Sequence, residues 1–143
     1  MKKKLKKMLW LLGVVILCII TYNMLFRSTP ERVFETLFDV SLDDFDYSVV
    51  SFEDEQYPNG DREINIVLKF KNLTPQNIAY LKSKQAKPLP ITKELRSKVP
   101  YRFTFLKRGY YFYTQLSAKS DSDYKVLIFN LETNEAILYL TII

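Results

Sequence analysis

The chain has 143 residues, a formal net charge of +5, and a composition that is 48% hydrophobic and 15% aromatic. Such a composition supports a hydrophobic core and excludes a disordered chain. One cysteine and no histidine exclude an internal disulfide and remove most metal-site and catalytic-triad designs. The length suits one small domain together with a targeting or anchoring segment.

A basic segment over residues 1–7 is followed by an apolar run over residues 8–26 that holds no charged side chain. As a helix, this run is close in length to the roughly 30 Å of bilayer hydrocarbon. Because lysines stay on the cytoplasmic side, the pattern predicts a single-pass anchor in a bacterial cytoplasmic membrane, with residues 28–143 outside. The predicted anchor residues are apolar or interfacial: Trp10, Leu11, Leu12, Val14, Val15, Ile16, Leu17, Ile19, Ile20 and Tyr22.

Two other interpretations of this segment remain open. A cleaved signal peptide has the same basic and apolar regions but needs small residues before its cleavage site, and Thr21, Tyr22 and Asn23 stand there instead. Lipid attachment at Cys18 is the second, although Leu17 occupies the position where a bacterial lipobox has a small residue. An uncleaved anchor fits the sequence better than either.

Two segments of opposite charge follow the anchor. Residues 28–63 carry 11 acidic side chains against two arginines, and residues 64–108 carry 11 basic side chains against Glu94. Mutual neutralisation in the fold is the simpler interpretation. A bipolar surface that steers a charged partner is the functional one.

Two helix starts are visible beyond the anchor. Thr29 followed by Pro30 predicts a helix that ends near Asp39, and Thr74 followed by Pro75 predicts one to about Lys84. Residues 85–100 form a basic connection that contains three prolines, and one helical turn is predicted within it at 92–97.

Strands are predicted from alternation and turn residues, with a hairpin turn at Asn59-Gly60. The order α-β-β-α-β-β-β predicts an α+β fold, with one two-layer domain of two helices and an antiparallel sheet of about five strands. The predicted strands span 45–55, 64–70, 110–117, 124–130 and 136–142, with a further short strand at 101–106.

One segment combines basic and aromatic residues and is the candidate for partner binding, since Tyr and Arg are frequent in binding hot spots. It resembles the first ribonucleoprotein motif of RNA-recognition domains at Arg108, Gly109, Tyr110 and Phe112, but departs from it at three further positions, so no nucleic-acid partner is expected. The alternative is an ordinary strand with one buried aromatic face. The candidate partner-binding residues are Lys107, Arg108, Tyr111 and Tyr113.

Motifs of catalysis or cofactor binding are missing from the sequence, including G-x-S-x-G, the P-loop and G-x-G-x-x-G. We therefore expect no enzyme activity, no cofactor and no metal. The sequence favours a membrane-anchored extracytoplasmic module that binds a protein of the bacterial envelope, as an immunity or inhibitor protein or as an accessory subunit. The alternatives are a domain that binds lipid or a wall fragment, and a hydrolase with an unrecognised site.

Overall fold

The computed structural model describes residues 2–26 and 28–143. Within these ranges the chain forms four α-helices, one 3-10 helix and one antiparallel sheet of six strands, which confirms the α+β class. The strand order across the sheet is β1-β2-β6-β5-β4-β3. The helices are α1 (Lys2–Phe26), α2 (Pro30–Phe38), α3 (Pro75–Ser83), α4 (Lys93–Arg96) and the 3-10 helix (Tyr101–Phe105). The strands are β1 (Tyr47–Gln56), β2 (Arg62–Phe70), β3 (Lys87–Pro88), β4 (Gly109–Gln115), β5 (Tyr124–Asn130) and β6 (Glu135–Ile142).

α1 contains the whole of the predicted anchor, residues 8–26. The apolar side chains described from Trp10 to Tyr22 are exposed and belong to neither hydrophobic cluster of the domain. Within residues 2–26 and 28–143, no helix combines the length and apolarity needed to cross a bilayer, so the predicted transmembrane helix is not confirmed. Met1 of the predicted basic segment lies outside the described residues.

α2 and α3 begin where their capping residues predict. The Thr29 hydroxyl accepts a hydrogen bond from the Arg32 backbone N–H, and Thr74 forms a reciprocal capping box with Asn77. Asp39 ends α2 in the left-handed conformation, with φ of 55°, and its N–H donates to the carbonyls of Phe34 and Glu35. Both predicted helix starts are therefore confirmed.

The sheet is built from hairpins and one long-range pairing. β1 and β2, β4 and β5, and β5 and β6 are neighbours in both sequence and space. The pairing of β2 with β6 joins the two parts of the sheet and places the last strand in its interior. The alternating residues predicted for β2 face one side and are buried: Ile64, Ile66, Leu68 and Phe70.

The sheet carries a buried cluster on each face, so a further layer over part of the second face adds to the two layers predicted. α2 and α3 pack on the first face. The second face is covered by the connection over residues 85–108, which contributes Leu89, Ile91, Val99 and Phe103 to a separate buried cluster. An interior strand with both faces covered needs apolar residues throughout, and β5 is buried at nearly every position.

The segment 101–106 is a 3-10 helix rather than the predicted strand. In a strand, Tyr101, Phe103 and Phe105 would share one face. The helical turn instead places Phe103 in the second-face cluster, where it is 0% exposed, and leaves the other two side chains on the surface.

Candidate protein-binding surface

The structure separates the four predicted partner-binding residues. Lys107 and Arg108 are exposed in the link between the 3-10 helix and β4. Tyr113 is partly buried on the second face, where its ring stacks on Tyr124 with centroids 5.8 Å apart. Tyr111 is only 1% exposed and belongs to the second-face cluster. The part of the hypothesis that names Tyr111 is therefore corrected, because its side chain offers no contact surface.

An exposed aromatic pair lies in the same segment of the chain. Tyr101 is 77% exposed and Phe105 is 59% exposed, and their rings meet edge to face with centroids 4.6 Å apart. Large apolar side chains that contact each other on the surface form a small preorganised patch, because each limits the motion of its neighbour. The backbone of the 3-10 helix sets their spacing.

Arg102 holds the 3-10 helix against the sheet. Its guanidinium donates a hydrogen bond of 3.2 Å to the side-chain oxygen of Asn65 on β2 and lies 4.9 Å from the centre of the Phe103 ring. Because Phe103 is also buried beneath it, two residues of the short helix hold it against the sheet. The exposed pair of Tyr101 and Phe105 thus stands on a fixed support.

The charged residues that flank this pair in the sequence are mostly basic. The connection contains Lys93, Arg96 and Lys98 before the aromatic pair, and Lys107 and Arg108 follow it. Lys98 is paired with Asp121 at 2.5 Å. The surface that includes Tyr101, Phe105 and the following basic residues therefore suits an acidic partner with an apolar contact.

The acidic segment lies at one edge of the sheet and is partly neutralised. Two ion pairs join it to the basic segment, Lys71 with Asp46 at 3.3 Å and Lys84 with Asp39 at 2.6 Å. Asp54 on β1 accepts two hydrogen bonds from the Arg62 guanidinium on β2, and this contact lowers the pKa of the Asp54 carboxyl. Some charges of the two segments therefore neutralise each other within the fold, as the simpler interpretation of the charge pattern predicts.

A row of tyrosines crosses the second face beside an open cleft of about 490 Å³. Tyr124 and Tyr139 line this cleft together with Lys98 and Asp121. Burial raises the pKa of Tyr139 to about 12, with the nearby Glu63 carboxylate adding to the effect. Burial likewise raises the pKa of Tyr124. These phenols therefore stay protonated at neutral pH and can act as hydrogen-bond donors.

The described part of the chain contains no assembled metal site. No group of three or more acidic or cysteine side chains there is arranged to hold a metal ion. Asp43 and Asp44 of the acidic segment are exposed in the loop before β1.

Comparison of the chain with protein-family models, with curated proteins and with solved structures finds no match. The class of protein is accordingly defined by the fold, an α+β domain on one six-stranded antiparallel sheet with an N-terminal helix.

Sequence reasoning missed Tyr101 and Phe105 because it assigned their segment to a strand. One signal was available in the sequence. Pro100 precedes two aromatic residues four positions apart, a spacing that brings side chains together on a helix but not on a strand. Arg102 between them also fits an exposed helical turn.

Proposed function

We propose that this protein is a membrane-anchored, extracytoplasmic module of the bacterial envelope that works by binding another protein. The observation that carries the proposal is the exposed contact between Tyr101 and Phe105, with Lys107 and Arg108 following in the chain. Aromatic and arginine side chains supply much of the energy in protein interfaces, whereas an isolated soluble domain gains nothing from exposing them.

The proposed partner is a protein with an acidic surface around an apolar depression. The aromatic pair would enter the depression, and the flanking cations would meet carboxylates at its rim, where they increase the association rate and select the orientation. An envelope enzyme or toxin that the domain inhibits, and a complex to which it is an accessory subunit, both fit this description. The identity of the captured partner separates these two roles.

The proposed localisation rests on the order of charge and apolarity at the N-terminus. Lysines precede the apolar run of residues 8–26, and α1 exposes its apolar side chains, with Trp10 73% exposed. The first domain helix begins at Pro30, which would hold the domain close to the membrane surface.

Cys18 tests the anchor, because it is the one cysteine of the sequence and lies near the middle of the apolar run. A membrane-impermeant maleimide should label it only after detergent is added to intact vesicles, and alkaline carbonate should not extract the protein. Labelling before detergent, or release by carbonate, would assign the segment to the membrane surface or to a cleaved signal.

In-cell crosslinking followed by mass spectrometry tests the binding function. The full chain should capture one dominant envelope protein that residues 1–27 fused to an inert domain do not capture. Tyr101→Ala with Phe105→Ala should lower this capture at least about tenfold, consistent with hot-spot energies above about 1 kcal/mol. The matched control is Tyr57→Ala, which removes an exposed aromatic side chain from the loop between β1 and β2. Equal capture by both variants would exclude the aromatic pair as the contact.

A small polar ligand such as a wall fragment is the second candidate. The cleft lined by Tyr124 and Tyr139 favours it, since sugar rings pack on aromatic faces and bond to phenols. Soluble wall fragments should then perturb the fluorescence or NMR signals of these two tyrosines, and unchanged signals would exclude this cleft as the ligand site.

A further inference from the structure

The outer edge of β4 is paired only near its start, where β3 contacts two of its seven residues. β3 pairs with Tyr110 and Tyr111 through Pro88 and Lys87. Gln85, just before β3, has a left-handed backbone with φ of 65°, which turns the chain away from the sheet. The rest of β4 is therefore an edge strand in a sheet that β3 only begins to cover.

The direction of the free backbone groups follows from three hydrogen bonds. Leu89 N–H donates to Gly109 on the β3 side, at 3.0 Å. On the β5 side, Leu116 N–H donates to Asp123 at 2.8 Å, and Leu131 N–H donates to Arg108 at 3.0 Å. In an antiparallel strand the backbone groups of successive residues point to opposite sides.

Odd-numbered residues of β4 therefore direct their N–H and C=O groups outward. For Tyr113 and Gln115, no backbone partner is found on that side within the described residues. Such unpaired edges are templates for a further strand, and proteins that do not use them usually blunt them with charges or bulges.

The opposite edge of the sheet carries those protective features and β4 does not. β1 has a register shift between Val49 and Ser51, and acidic side chains at Glu53, Asp54 and Glu55. The segment from Phe112 to Gln115 has no charged residue and no bulge.

A groove of about 410 Å³ runs along the free part of β4. Its first-face wall is the end of α2, where Leu37 and Phe38 lie near Phe112, with the Phe38 and Phe112 rings 6.1 Å apart. Leu37 and Phe38 form the apolar part of this wall, which also contains Glu35 and Thr36. The apolar part would receive the side chains of a strand that alternate toward the first face.

Charged residues also line the groove. Lys84 and Asp39 in the lining pair with each other at 2.6 Å. Lys87 is exposed, makes no ion pair among the described residues and lies opposite Tyr111 on the second-face side. A residue of an added strand that lies opposite Tyr113 would be next to Lys87 on the second-face side. The long side chain of Lys87 could therefore reach it.

We infer that the free edge of β4 binds an extended segment of a partner protein by strand addition. The segment continues the line of β3, antiparallel to β4, with apolar side chains toward Leu37 and Phe38 and an acidic side chain toward Lys87. This inference rests on the proposed protein-binding function and adds the mode of recognition and the chemistry of the recognised segment.

The test uses the full chain in detergent micelles and a phage-displayed library of short random linear peptides. Panning should enrich peptides that alternate apolar and acidic residues. Bound peptide should slow hydrogen exchange at the amides of Tyr113 and Gln115 at least about tenfold, which is the protection expected for newly paired edge amides. Lys87→Glu should weaken binding about tenfold, while Lys93→Glu, an exposed charge reversal on α4, should leave it unchanged.

Each contrary outcome has a separate meaning. No enrichment, or enrichment of basic peptides, would overturn strand addition at β4. Peptides that slow exchange in β1 or contact Tyr101 and Phe105 would overturn it while supporting protein binding elsewhere. Slowed exchange at Tyr113 that appears without peptide, as protein concentration rises, would assign the edge to a second copy of this chain. A failure of the in-cell crosslinking would count against the proposed protein-binding function, whereas the peptide experiment tests strand addition at β4.

Discussion

Lys125, on the interior strand β5, donates a hydrogen bond from its ammonium group to the backbone carbonyl of Leu37 in the last turn of α2. The same ammonium lies 5.2 Å from the centre of the Phe38 ring. The last carbonyls of a helix have no partner within the helix, and a cation there also interacts favourably with the helix dipole. β5 thereby fixes the end of α2 across the first face, beside the groove along β4.

Lys125→Met should therefore destabilise the domain. The substitution keeps an unbranched side chain but removes the hydrogen bond and the cation, so we expect a loss of about 1–2 kcal/mol in the free energy of unfolding. Urea unfolding followed by circular dichroism measures this loss. Lys119→Met, on an exposed loop, should change stability by less than about 0.5 kcal/mol. Equal effects of the two substitutions would show that the contact with Leu37 contributes nothing.

Gly109 allows β4 to approach β5 closely. Its φ is +143°, and a Cβ atom there would lie 1.9 Å from the Phe129 carbonyl oxygen. Gly109→Ala should cost more than about 2 kcal/mol, because backbone strain and a clash with rigid backbone add together. Gly60 also has a positive φ but has open space around it, so Gly60→Ala should lower the free energy of unfolding by less than Gly109→Ala does. The comparison by urea unfolding separates steric clash from strain, and equal losses would contradict the close approach.

The connection over residues 85–108 should behave as a structural layer. Phe103→Ala removes a ring that is 0% exposed, and we expect a loss of about 3–5 kcal/mol. Phe105→Ala, two positions away in the same 3-10 helix and 59% exposed, should change stability by less than about 0.5 kcal/mol. Thermal or urea unfolding of both variants measures the difference. A neutral Phe103→Ala would mean that the second face is not held by this layer.

Stability should fall in alkaline solution because of the second-face tyrosines. The folded state raises the pKa of Tyr139 from 10.0 to about 12, and raises that of Tyr124 in the same direction. From about pH 10 upward the unfolded chain then binds fewer protons than the folded one, so the free energy of unfolding decreases as pH rises. Below that range this contribution is fully present.

Tyr139→Phe should flatten the decrease between about pH 10 and about pH 12, because the phenyl ring has no proton to lose. Urea unfolding at a series of pH values measures the slope. Tyr101→Phe, whose ring is on the surface, is the matched control and should retain the slope of the unchanged chain. A slope that Tyr139→Phe leaves unaltered would assign alkaline unfolding to other groups.

Prediction from sequence succeeded where the determining contacts are local. The caps at Thr29 and Thr74 lie within one helical turn of the groups they bond. The β1–β2 turn was also located correctly, although its detail differs. Gly60 has a positive φ, but Asn59 does not, and its side chain instead contacts Asp61 at 2.6 Å. The five-residue loop from Tyr57 to Asp61 thus closes by backbone hydrogen bonds rather than by a two-residue turn.

The candidate site was predicted less well because exposure is a property of the whole fold. Alternation places Tyr111 and Tyr113 on one face of β4, but it cannot tell which faces are covered. The layer formed by residues 85–108 buries Tyr111 and partly buries Tyr113. Lys107 and Arg108 remain exposed, since their charges are costly to bury without partners.

The sequence by itself determined the α+β class, the helix starts, the hairpins and the lysine-flanked apolar run, because each depends on residues close together in the chain. Only the tertiary structure decided that β6 lies between β2 and β5, that a proline-rich connection covers the second face, and that Tyr101 and Phe105 meet on the surface. These outcomes depend on which distant apolar surfaces pack together. The packing is determined by the total apolar surface area that the whole domain buries, and no local sequence pattern specifies that total.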